Sequence, residues 1–240
     1  MDSQAVNKEI RTIIRPQLMA AGFDHCTART FWRHSSDRID VVNFQSFSKY
    51  HAIRLECTTY SFAVNLGCYF EYVPSATKFP YKTARGRALP EEYHCHVRRQ
   101  LRKSILQDQL TREDIWYIDP DLYYLESAVH DAGVVIKDQA TPWFERFSDP
   151  KEVLRTLEEE GDNLDHAWGM GPKPSAHRHY LAGYVARALG KHELALKHLS
   201  AAFEWCRQHN EQTYSGGVYS DLLLQLTIDI QALPEAGTSK

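Results

Sequence analysis

The stretch that decides the fold reads Ile39-Asp-Val-Val-Asn-Phe-Gln-Ser-Phe47, then a polar turn region, then Thr59-Tyr-Ser-Phe-Ala-Val-Asn-Leu-Gly-Cys-Tyr-Phe70. The second run alternates. Tyr60, Phe62, Val64, Leu66, Cys68 and Phe70 fall on one face of an extended strand, and Thr59, Ser61, Ala63, Asn65 and Gly67 on the other. In the first run Val42 and Phe44 share a face, while Val41, Asn43, Gln45 and Phe47 point the opposite way. Two neighbouring strands of this kind place one apolar face on a core. Their second face carries amides and small residues (Asn43, Gln45, Asn65, Ala63, Gly67), so it is either exposed or covered by groups that hydrogen-bond.

Upstream, Val6, Ile10, Ile13, Ile14 and Leu18 recur at helical spacing, and Gly22 is placed to end that helix. Pro16 removes one backbone donor and predicts a bend or break there. Thr30-Phe-Trp-Arg-His34 reads as the first strand, and Ser35-Ser-Asp-Arg38 as a hairpin turn into the Ile39 strand. A helix followed by closely linked strands predicts an antiparallel meander with the helix laid on its apolar face.

The chain has 240 residues, 43 % of them hydrophobic and 25 % charged, which fits a globular protein of one or two domains. A net charge of −3 argues against a general nucleic-acid or membrane binder. Five cysteines without a Cys-x-x-Cys pair read as reduced thiols. No segment approaches the ~20 apolar residues of a membrane span, and the first residues lack a secretory pattern. A cytoplasmic location is the resulting expectation.

The succession Gly22-Phe23, Arg29-Thr-Phe-Trp-Arg33, Val41-Val-Asn-Phe-Gln45 and Phe62-Ala-Val-Asn-Leu-Gly67 resembles the bacterial domain of unknown function numbered 4304. Cys95-His-Val-Arg-Arg-Gln-Leu101 and Trp116 extend the resemblance, which covers roughly residues 5 to 155. Some members of that family look like immunity proteins encoded beside polymorphic or secreted toxins. The resemblance therefore implies a protein that binds a toxin, and it brings no catalytic residues with it.

Charge is segregated along the chain. Lys78 to Lys103 holds eight cations against Glu91 and Glu92, interleaved with Phe79 and Tyr81. That mixture is what single-stranded nucleic-acid grooves use, although a solvated loop with arginines anchoring carboxylates gives the same pattern. Ser104 to Ala176 then holds sixteen acidic residues against six basic ones, clustered at Asp119-Pro-Asp121 and Glu158-Glu-Glu160. An acidic surface can receive a basic partner. Leu122 to Val135 is predicted helical with Asp119 or Asp121 as its cap, and Asp149-Pro150 begins another helix.

Gly169-Met-Gly-Pro-Lys-Pro-Ser175 is dense in breakers, and Leu181 to Trp205 beyond it reads as a helical hairpin resembling one tetratricopeptide repeat. Gly183 allows close approach, Gly190 makes the turn, and Ala195 and Ala202 let the helices pack. Because one such unit cannot bury both faces, the Asp149 helix and Tyr219 to Leu233 are its expected neighbours. Glu235 to Lys240 reads as a frayed tail.

Catalytic motifs are scarce. His94-Cys-His96 and His177-Arg-His179 each place two imidazoles close in sequence, without a third ligand in spacing. With twelve histidines in the chain such pairs arise by chance. No cofactor, metal or catalytic residue is predicted.

These readings predict an α+β protein. Residues 1–148 form a helix packed on a small antiparallel sheet, and 149–240 a helical, tetratricopeptide-like segment. The expected function is toxin neutralisation by stoichiometric occlusion, with no membrane or nucleic-acid partner. The expected contacts are Asp119, Asp121, Glu158, Glu159 and Glu160, with Asn43, Gln45 and Asn65 as a second recognition face. The alternative is an enzyme or nucleic-acid-binding accessory using residues 78–103. The oligomeric state stays open.

Overall fold

The computed structural model describes residues 3–74, 82–84, 86–159, 167–212 and 219–233. The chain is an α+β protein divided into two compact units. The first comprises Met1–Phe70 and Tyr81–Glu145, and the second Glu71–Pro80 and Arg146–Lys240.

The first unit opens with α1 (Ser3–Glu9), a π-helical turn (Ile10–Ile14) and α2 (Arg15–Ala20). The irregularity expected at Pro16 is this π turn. Proline has no N–H to bond four residues back, and the Arg15 N–H instead reaches the Ile10 carbonyl. The same device recurs before Pro142, where a π turn (Ile136–Ala140) joins α4 (Leu125–Val135) to α5 (Thr141–Arg146). Both π turns end two residues before a proline. Val6, Ile10, Ile14 and Leu18 are fully or nearly fully buried. Gly22 ends α2 at φ +88°, with Phe23 N–H to Leu18 O at 3.0 Å and Gly22 N–H to Met19 O at 3.1 Å. That is the paired closure which needs a left-handed residue after the helix.

The strands follow as β1 (His25–Cys26), β2 (Thr30–His34), β3 (Arg38–Ser46), β4 (Phe62–Phe70), β5 (Lys82–Ala84), β6 (Arg87–Leu89) and β7 (Val97–Gln100). A short helix, α3 (Lys49–Arg54), lies between β3 and β4. Within this unit the order is β1-β2-β3-β4-β7, with every neighbouring pair antiparallel. The Ser35–Arg38 turn closes with Ser35 N–H to Arg38 O at 2.8 Å. Strand β4 begins at Phe62 rather than Thr59. The Thr58 hydroxyl accepts the N–H groups of Tyr60 (3.1 Å) and Ser61 (3.2 Å), a local turn that competes with extension.

On the β3–β4 ladder Val42 faces Leu66 and Phe44 faces Val64, all buried. The opposite face is divided. At one end Ile39, Val41 and Tyr69 join Trp32, Leu89 and Cys95 in an apolar cluster flanked by Ala84 and Ala88 of the β5–β6 hairpin. At the other end Asn43 pairs with Asn65, and Gln45 with Ala63. The alternation of β3 and β4 fixed which residues share each face. It could not show that a hairpin later in the chain covers half of one.

The second unit contains α6 (Pro150–Glu159), β8 (Ala167–Trp168), α7 (Ala176–Ala188), α8 (His192–Gln212) and α9 (Ser220–Gln231). The Asp149 carboxylate accepts the Lys151 N–H at 2.8 Å, which starts α6, and Pro150 sits in the first turn where its missing donor costs nothing. The Ser175 hydroxyl accepts the Arg178 N–H at 3.2 Å, which starts α7. Gly190 turns the chain at φ +71°. A Cβ on Gly183 would stand 2.5 Å from Leu199 Cδ2, so only glycine permits this approach of α7 to α8. Helix α6 packs on α7, and α9 on α8, the two neighbours expected for the hairpin. The Gly169–Ser175 segment lies inside this unit. The predicted tail, Glu235 to Lys240, lies outside the described residues.

Candidate protein interface

Residues between β7 and α4 have little regular structure, yet side chains fix them in place. The buried Gln107 amide behaves like a strand partner for Tyr117. It accepts the Tyr117 N–H and donates to the Tyr117 carbonyl, each at 2.9 Å. The Lys103 ammonium joins the same node through Gln107 Oε1 (3.3 Å) and Leu110 O (3.0 Å). Burial lowers the Lys103 pKa, against the pull of Asp114, Asp131 and Glu113. From α4, Asp131 accepts the Trp116 indole N–H at 2.8 Å and the Ser104 N–H at 3.1 Å, and also the Ser104 hydroxyl. The Trp116 ring stacks on Phe62 at 5.6 Å between centroids, and the two backbones exchange hydrogen bonds. The connection is thereby tied to β4 and to α4.

This frame presents apolar and aromatic groups to solvent. Leu106 is 96 % exposed and Tyr123 is 81 % exposed. The Tyr124 hydroxyl accepts the Gln109 amide at 2.6 Å, and its ring meets Tyr123 and Tyr117 edge-on at 5.1 and 6.3 Å. The bond links the segment carrying Leu106 to the one carrying Tyr123. The two nearby arginines are neutralised, Arg102 by Glu113 (3.0 Å) and Arg112 by Asp114 (2.6 Å), while the Lys103 ammonium is turned inward onto Gln107 and Leu110. Asp108, Asp119, Asp121 and Glu126 form no ion pair among the described residues. The surplus charge is therefore negative. Exposed tyrosine and leucine beside uncompensated carboxylates, on a hydrogen-bonded frame, is a chemistry suited to a protein partner.

The predicted contact residues fall in several places. Asp119 has a local task as the cap of the approach to α4. Its carboxylate accepts the Tyr124 N–H (3.0 Å) and the Asp121 N–H (3.2 Å), while the Asp121 side chain stays exposed. Glu158 and Glu159 belong to the second unit, near the end of α6. Glu158 meets His198 Nε2 at 3.3 Å, and Glu159 pairs with Arg155 at 3.1 Å. Glu160 lies outside the described residues. Asn65 donates to Gln45 Oε1 at 2.8 Å, and Asn43 donates to Thr30 Oγ1 at 2.9 Å. The three amides share one face as expected, and these bonds lie within the sheet.

The basic segment is largely engaged where it is described. Arg87 pairs with Asp24, Arg98 with Glu92 at 3.8 Å, and Arg102 with Glu113. Lys78, Arg85 and the Lys82 side chain lie outside the described residues. The histidine pairs do not converge. His94 Nδ1 accepts the Glu91 N–H, while His96 is buried and stacks between Tyr69 and Phe70. His177 bonds to the Gly169 carbonyl at 2.7 Å, and His179 Nδ1 meets His198 Nδ1 at 2.9 Å. Among the described residues no group of three His, Cys, Asp or Glu side chains could hold a metal ion. All five cysteines are free, and burial pushes the Cys68 and Cys95 thiols well up. Among the described residues no helix is long and apolar enough to cross a membrane.

Leu106 and Tyr123 were not singled out in the sequence. The signal is slight, because Leu106 belongs to no periodic pattern and Tyr123, next to Asp119-Pro-Asp121, falls within the predicted Leu122–Val135 helix.

Fold and surface together define a two-unit α+β protein whose first unit carries an acidic, aromatic surface built on an irregular connection. Residues 14–146 match the family described as Domain of unknown function (DUF4304), and the chain belongs to that family. The match contains the whole 104–124 surface and ends where the second unit resumes. No curated protein and no solved structure matches the chain.

Proposed function

We propose that this chain is an immunity-type protein that neutralises a cognate protein toxin by covering part of its surface. The observation that carries the reading is the 104–124 surface. Leu106 and Tyr123 are almost fully solvated although the segment around them is anchored by buried Gln107, Trp116 and Asp131. Holding a large apolar group in water on a rigid frame removes ordering cost from an association step. Tyrosine is a favoured anchor at such contacts. Uncompensated Asp108 and Asp121 would steer a basic partner, as a secreted nuclease would be. Binding would be stoichiometric and need no cofactor.

The test uses the product of the gene encoded beside this one. Purified together, the two proteins should elute as a defined-ratio complex in which the toxin has lost its activity. Tyr123→Ala with Asp121→Lys should weaken the complex by about a hundred-fold, the range of an interface hot spot. Neutralisation at far less than one equivalent, or a complex insensitive to this double change, would reject occlusion through this surface.

A further inference from the structure

The first unit carries a half-open cavity of about 550 Å³ between the end of α2, the β2 arginine and the α4–α5 segment. It is distinct from the 104–124 surface. Leu18, Phe23, Ala140 and Phe144 supply apolar lining, and Val134 at its wall is 51 % exposed. Its charged or titratable lining residues are Arg33, His130 and Lys137. Among the described residues no carboxylate lines it.

Arg33 is held in a fixed pose. Its guanidinium lies over the Phe23 ring at 5.2 Å and over the Phe144 ring at 5.3 Å. Nε and Nη2 donate to Asp40 Oδ2 at 2.9 and 2.8 Å, and Nη1 donates to the Ala21 carbonyl at 3.1 Å. Three of five N–H donors are thus spent, and two remain. Asp40 is shared between Arg33 and Arg38, so these three groups together keep one positive charge, and Lys137 adds a second at the cavity. His130, Val134 and Lys137 follow the i, i+4, i+7 spacing of one helix face. The π turn Ile136–Ala140 forms part of the wall, and single π turns inside helices concentrate at functional sites.

An apolar cavity of this size with a few polar groups of one sign matches a small-molecule site. We propose that it binds an amphipathic monoanion, a single carboxylate on an apolar body. The body lies against Leu18, Phe23 and Phe144, and the carboxylate meets the free Arg33 donors and the Lys137 ammonium. This reading does not depend on toxin binding.

Fluorescence of 1-anilinonaphthalene-8-sulfonate, itself an apolar anion, provides the assay. The dye should bind saturably to the folded chain, and decanoate should displace it at about ten-fold lower concentration than decyltrimethylammonium. Lys137→Glu changes an exposed residue and should abolish or invert that preference. Val134→Trp should block entry, with circular dichroism and melting confirming the fold. Should Val134→Trp fail to fold, the charge reversal still decides. Equal displacement by the two amphiphiles, no saturable dye binding, or a preference unchanged in Lys137→Glu would overturn the proposal.

Discussion

Gly67 on β4 lies directly beneath Cys95, so that a Cβ on Gly67 would stand 2.5 Å from the Cys95 sulfur and 2.7 Å from its Cβ. The small residue in the middle of an otherwise bulky strand is therefore required by the segment that folds over it. Gly67→Ala should force Cys95 outward and loosen the cluster of Trp32, Val41, Tyr69 and Leu89. The expected cost is about 1–3 kcal/mol, read as a lowered urea midpoint with an unchanged slope.

Asp40 should be the most sensitive polar position in the first unit. It is fully buried and receives Arg33 at 2.8 Å and Arg38 at 2.8 Å, and the Arg38 side chain is itself nearly buried. Asp40→Asn leaves Arg38 without a counter-charge, and removing one partner of a buried pair costs about 3–5 kcal/mol. Equilibrium unfolding would check this, and a loss below about 1 kcal/mol would contradict it.

Exposed positions of the proposed interface should behave oppositely. Leu106→Ala and Tyr123→Ala remove no buried packing, so stability should stay within about 0.5 kcal/mol of the parent chain. Melting curves of both variants overlaying the parent, together with weakened toxin binding, is the expected pair of results. A large drop in melting temperature for either would mean that the residue packs in solution and is unsuited to contact.

Acid stability should depend on Asp229 of α9. Burial alone would raise its pKa, but hydrogen bonds from Gln225 (2.6 Å), Tyr184 and Arg187 (3.0 Å) outweigh it and hold the carboxyl below its ordinary value of 3.8. A depressed carboxylate contributes stability that is fully present above the unfolded-state pKa. The contribution is lost as pH falls below about 4 through the folded-state value. Asp229→Asn should therefore lower stability at neutral pH by about 1–3 kcal/mol and flatten its fall in acid. Denaturant midpoints between pH 2 and 7 provide the measurement.

The paired amides invite a further test. Asn65 is buried and bonded to Gln45, so Asn65→Ala should cost about 1–2 kcal/mol whether or not a partner is present. Gln45 is exposed, and Gln45→Ala should cost less. Thermal melts of the two single variants would compare them directly, and an equal loss would show that the shared bond sets the cost.

The sequence by itself determined what local physics controls. Alternation in Ile39–Phe70 assigned side chains to faces, Gly22 and Gly190 marked helix ends, and Asp149-Pro150 started a helix. Gly183 and Ala195 also announced a close helical hairpin, because small residues at helical spacing have few other uses. Family membership was legible too, through short motifs in order. Only tertiary structure decided which faces were covered. Coverage of Ile39, Val41 and Gly67 depends on Leu89 and Cys95, which lie at least twenty residues away from them in sequence. The pairing of Asn65 with Gln45 depends on strand register, which brings together residues twenty apart. Leu106 and Tyr123 look like ordinary core residues in the sequence, and they reach solvent because Gln107, Trp116 and Asp131 occupy the interior places around them. The cavity has the same origin, since Arg33 and Lys137 lie far apart in sequence and line one space only once α4 packs on α1 and the Ile10–Ile14 turn.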